Sequence, residues 1–134
     1  MQPKRMTKDD VPESAGVFKP IGHVVIGFSR VGDLRAARDT LSRAGYAEQD
    51  FVSYTPEEMK AQSERQIEQA GVLASFGHEI NLVQLYRELS EQGHHWLVVF
   101  APEDDQAAQV ADVARRSNAK LAQKYNPLVI EELL

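Results

Sequence analysis

The sequence predicts a single domain of mixed α and β structure built on a four-stranded sheet. The chain has 134 residues, 43% of them hydrophobic and 26% charged, which suits one compact globular domain. Short apolar runs alternate with helical patterns in the order β-α-β-α-α-β-α-β. The first and third strands are apolar on both faces and the second and fourth are mixed, so the first and third belong in the interior of the sheet.

Residues 1–20 are polar, contain Pro3, Pro12 and Pro20 and show no period, so they read as a flexible arm. The folded domain then spans 21–134. Its first strand is 23–28, HVVIGF, followed by a turn and Asp33, whose carboxylate suits a helix N-cap. Leu34, Ala37, Leu41 and Ala44 share one face of the helix, and Gly45 ends it.

A second strand, 50–54, leads into Thr55-Pro56-Glu57-Glu58, a capping box with proline at the first helical position. The helix 57–70 that follows is polar, with Met59 and Ile67 spaced to share a face. The next helix has a broad apolar stripe of Phe76, Ile80, Leu82, Val83, Leu85, Tyr86 and Leu89, and stops at Gly93. Residues 96–100, WLVVF, form the third strand. Pro102 and Asp104 open a fourth helix with Ala107, Val110, Ala111 and Ala114 inward. The last strand, 120–125, sets Leu121, Gln123 and Tyr125 against Lys120, Ala122 and Lys124, and lysines on a strand suggest a sheet edge. A short apolar tail, 128–134, follows Asn126-Pro127.

Two architectures put the first and third strands in the centre. One is a ferredoxin-like antiparallel sheet ordered 4-1-3-2, the other a flavodoxin-like parallel sheet ordered 2-1-3-4. The segments LYRELSEQGHHWLVVFAPEDDQAAQVADVARRSNAKLAQKY and VVIGFSRVGDLRAARDTLSRAGY resemble parts of small bacterial heat-induced general stress proteins. The chain departs from them in having the polar helix 57–70 where they carry a glycine-rich apolar segment. The resemblance implies an α+β, ferredoxin-like sandwich, a stress-related role and no established active site, and the chain's own element order adds a helical insertion between the second and third strands.

Such a fold leaves one sheet face open, yet the third strand is apolar on both sides. The helix pair of the insertion or a second subunit must cover that face, and a homodimer is expected.

The stretch GFSRVGD, 27–33, nearly matches three functional motifs. As a phosphate-binding P-loop it has Asp33 and Leu34 where lysine and a hydroxyl residue are needed. As a dinucleotide fingerprint it lacks the middle glycine, replaced by Ser29, and as a nucleophile elbow it has Val31 in place of glycine. The remaining reading is a strand-to-helix turn shaped by Gly27 and Gly32. A small anion could be held there by Ser29, Arg30 and the helix N-terminus.

No cysteine is present, which removes thiol catalysis and thiolate metal sites. The net charge of −5 argues against a nucleic-acid partner. There is no apolar run long enough for a membrane span and no secretory signal, so a cytoplasmic location is expected. His78 and His94 flank the third helix roughly 20 Å apart, and His23 and His95 begin neighbouring strands at opposite ends, so no metal site is expected. No cofactor is expected either.

The leading reading is a non-enzymatic bacterial protein working through protein contacts as a homodimer or with another protein. A second is a small-ligand-binding regulatory domain, with Ser29, Arg30, Tyr86, His94 and His95 as candidate binding residues. A third is a small enzyme of the dimeric α/β-barrel type, with His94, His95 or Tyr86 as acid or base.

Overall fold

The computed structural model describes residues 4–7, 18, 20–70 and 77–134, with backbone alone at 69–70 and 77–80. Phe76 and the side chains of His78 and Ile80 therefore lie outside the described residues, as does most of the N-terminal arm. The strands are β1 His23–Phe28, β2 Phe51–Tyr54, β3 His95–Phe100, β4 Leu121–Tyr125 and β5 Ile130–Glu132. The helices are α1 Val31–Arg43, α2 Pro56–Ala70, α3 Gly77–Glu91 and α4 Asp104–Arg116, and a 3-10 turn, Glu48–Asp50, precedes β2.

The fold is α+β, with one antiparallel sheet in the order β2-β3-β1-β4-β5. The parallel alternative is thereby excluded. The sheet has five strands, and both count and order differ from the four-stranded expectation because of the strand added beyond β4. Residues 130–132, read as part of a tail, pair with β4 through Tyr125↔Ile130, Lys124↔Glu131 and Gln123↔Glu132. So β4 is not an edge. Its Lys124 side chain is 3% exposed and donates to the Pro102 carbonyl at 3.0 Å, near Asp104 at the start of α4.

Alternation along the strands builds two cores. On one face Val24, Ile26, Phe28, Leu97, Val99 and Ala122 pack against Leu34, Ala37 and Leu41 of α1 and Val110 and Ala114 of α4. On the other, Val25, Val52, Tyr54, Trp96, Val98 and Tyr125 pack against Met59 of α2, Tyr86 of α3 and Phe18. The face from which a homodimer is expected is thus covered within the chain itself. Phe18 sits edge-on to Tyr54, Tyr86 and Tyr125 at 6.1, 6.4 and 6.1 Å between ring centres.

Helix α2 covers this core with little apolar surface: its most buried residues are Met59, Ser63 and Gln66, while Ile67 is half-buried. In α3, Leu82, Val83 and Tyr86 are buried, whereas Leu85, placed in the apolar stripe by its spacing, faces outward.

The helix ends show what stops each one. The Thr55 hydroxyl accepts from the Glu58 amide at 3.1 Å and the Glu58 carboxylate from the Thr55 amide at 2.9 Å, the reciprocal pair expected of a capping box. Gly45 follows α1 at φ +110°, with the amides of Gly45 and Tyr46 donating back to Ser42 and Leu41. This is a Schellman closure, and a positive φ there favours glycine. The N-cap of α1 is Arg30 rather than Asp33, which lies in the first turn near the positive end of the helix dipole. Among the described residues no helix is long and apolar enough to cross a membrane.

Candidate functional site

The turn of the GFSRVGD stretch works differently from its sequence reading. Gly27 is inside β1, opposite Trp96 of β3, and the indole lies where a Cβ would project. Gly32 is a helical residue of α1 with open space around it. Neither glycine has a positive φ. The turn itself is Ser29-Arg30, both exposed, with the Arg30 carbonyl accepting from the Asp33 and Leu34 amides.

Pairing of Phe28 with His95 brings Ser29, Arg30 and His95 to one end of the sheet. His95 is half-buried, and His94, 5% exposed, precedes it. The His94 Nδ1 lies 2.9 Å from the Leu89 carbonyl, which accepts its proton and helps finish α3, while its Nε2 is buried without a hydrogen-bond partner. Tyr86 is elsewhere, deep under α3 with its ring 5.0 Å from that of Trp96. None of the five candidates hydrogen-bonds to another among the described residues.

Tyr86 instead belongs to a polar chain the sequence reading missed. Its hydroxyl donates to the Gln123 side-chain oxygen and accepts from the Tyr125 hydroxyl at 2.8 Å. Gln123 in turn donates to the Glu132 carboxylate at 2.6 Å. Every donor then points toward the anionic end, at the surface. Burial, and then the neighbouring Tyr125, push the Tyr86 hydroxyl well above the ordinary tyrosine pKa. These contacts give Tyr86 a structural duty.

A second polar group forms where residues 4–7 meet the sheet. His23 is 2% exposed and its ring is 5.0 Å from that of Phe100. Its Nδ1 lies 2.9 Å from the Ile21 carbonyl, and its Nε2 lies 3.2 Å from the Met6 amide. A carbonyl only accepts and an amide only donates, so the ring is neutral with its proton on Nδ1. Arg5 bonds the Asp50 carboxylate and lies 5.1 Å over the Phe100 ring. Burial lowers the His23 pKa, outweighing two backbone hydrogen bonds and the Asp50 charge.

Met6 and Thr7 also line a shallow groove of about 320 Å³ along β2, with Phe51, Val52, Ser53 and Arg38. The Arg38 guanidinium is held by both Glu48 carboxylate oxygens, at 3.0 and 2.9 Å, and lies 5.2 Å over Phe51. Strand alternation puts His23 on an inward face, which signals the need for partners; nothing local in the sequence says that Met6 supplies one. Among the described residues no group of three or more His, Asp or Glu is placed to hold a metal ion.

Neither a family model, nor a curated protein, nor a solved structure matches this chain.

Proposed function

We propose that this protein acts through protein contacts, with a second copy of itself as the partner. The observation that carries this reading is the β4–β5 hairpin, where Leu128 is 96% and Val129 62% exposed. Leu134, nearby in sequence, is also exposed. Water contact at so much apolar surface is unfavourable, and association removes it. An apolar patch is complementary to itself, so a twofold pair of identical chains needs only this one surface. Glu131 and Glu132 on β5 oppose strand-to-strand pairing of two copies by repulsion, which leaves the hairpin tip as the contact.

A stress-related role in the bacterial cytoplasm is supported by the strand–helix pattern shared with general stress proteins, and by that pattern alone. Native mass spectrometry across a protein concentration series tests the association. The expected result is a dimer that Leu128→Asp with Val129→Asp converts to monomer while the fold is kept. A monomer at every concentration, or a dimer indifferent to both substitutions, overturns the reading.

A further inference from the structure

We propose that residues 4–7 are a pH-sensitive strap, latched on neutral His23 and released when that ring takes up a proton. The latch is the Met6 amide donating to His23 Nε2 at 3.2 Å. The other ring nitrogen is committed to the Ile21 carbonyl, so an incoming proton goes to Nε2. Protonated Nε2 is a donor, and the Met6 N–H it then faces is a donor too and cannot accept. The Ile21 and Pro20 carbonyls are the backbone acceptors that favour the charged ring.

The charges around the ring set the response. Asp50 favours the imidazolium and Arg5 opposes it. Asp50, however, is already engaged by Arg5 and by the Ala47 amide at 2.9 Å. Phe100, on the β3 side, offers a ring rather than a carboxylate. The Asp50 attraction outweighs the Arg5 repulsion, so what drives release is the meeting of two donors at Nε2 and the burial of the new charge. The Met6 latch opens at Nε2, while Phe18 stays anchored independently among its three tyrosine rings.

Release has a structural consequence on the sheet's other edge from the hairpin. Met6 and Thr7 form a wall of the groove along β2, the strand that ends the sheet on that side. Lifting them opens that edge and the Val52 side of the core. The strap thus acts as a cover over an edge strand, a position proteins commonly protect.

Nuclear magnetic resonance on the full chain tests this through the His23 ring nitrogens and the Met6 amide. At about pH 7.5 the ring is expected to carry its proton on Nδ1, with the Met6 amide protected from exchange. As pH falls below the ordinary histidine pKa the ring charges, and Met6 protection, corrected for intrinsic exchange, falls about tenfold or more with the same midpoint. The Val25 and Val98 amides keep theirs, which separates release from unfolding. In His23→Gln, whose side-chain oxygen can still accept, Met6 protection is expected to hold across the range. Protection that survives charging of His23, an equal loss in His23→Gln, or a strap docked until the core unfolds overturns the proposal.

Discussion

Gly27 and Trp96 face each other across β1 and β3, and a Cβ added at Gly27 would stand 3.0 Å from Cζ3 of the indole. The indole is fully buried and fixed by its Nε1 donating to the Ser90 hydroxyl at 2.9 Å, so it has little room to retreat. The glycine that makes this stretch look like a nucleotide loop is thus explained by the ring packed over it.

Gly27→Ala is therefore expected to destabilise the fold by about 1–3 kcal/mol through overpacking. Gly32→Ala, five residues on, meets open space in an ordinary helical conformation. It is expected to stabilise by about 0.5–1 kcal/mol, the usual preference of a helix for alanine over glycine. Urea unfolding of the two variants checks the pair, and a Gly27→Ala protein as stable as the parent would remove the packing argument.

The polar chain from Tyr86 to Glu132 predicts an energetic coupling. Tyr86→Phe leaves the buried Gln123 oxygen without its donor, at a cost of about 1–3 kcal/mol. Gln123→Leu removes that acceptor and also the bond to Glu132 that fixes the β4–β5 register. In a double-mutant cycle by chemical denaturation the two losses are expected to fall short of additivity by about 0.5 kcal/mol or more. Simple addition would show that the hydroxyl and amide do not act together.

How far the fold could be read in the sequence follows from where periodicity speaks. Gly45 and the Thr55–Glu58 box mark their boundaries because each acts on backbone within a few residues. Strands β1 and β3 announce themselves as central by being apolar throughout. Which of the two covers, the helix pair or a second subunit, closes the second face was hidden because α2 buries Met59, Ser63 and Gln66, a face that hydrophobic spacing cannot find. Strand β5 was hidden by having three residues, too few for a pattern. Lys124 misled because a lysine on a strand suggests solvent, whereas its amine reaches the Pro102 carbonyl beyond the sheet. Of the candidate site, register could place His95 beside Ser29 and Arg30, but the contact of Met6 with His23 spans 17 residues and has no local signature.

Lys124 makes a further prediction. Its side chain is almost wholly buried while its partner Asp104 is fully exposed, so the carboxylate is screened by water and adds little. The stem, packed on the α1–α4 side of the sheet, should matter more than the charge. Lys124→Met is expected to change stability by less than about 1.5 kcal/mol, as a substitution that keeps volume. Lys124→Ala is expected to lose about 2 kcal/mol or more by leaving a cavity. Equal losses in the two variants, read from their urea midpoints, would assign the energy to the amine instead.

Tyr86 also sets the behaviour at high pH. Its folded pKa is raised well above 10.0, first by burial and then by Tyr125 and the Glu132 charge. Above 10.0 the unfolded chain gives up this proton and the folded chain keeps it, so the unfolded state binds fewer protons and stability falls with rising pH. The contribution is fully present below 10.0 and is lost as pH rises toward the folded value. Tyr86→Phe removes the ionisable group, so its stability, lower at neutral pH, should decline less steeply above 10.0 than that of the parent. Urea midpoints measured from about pH 8 to about pH 11 give the two slopes. Parallel slopes would mean that Tyr86 ionises in place, and that its hydroxyl is not sealed within the core as the bonds to Gln123 and Tyr125 require.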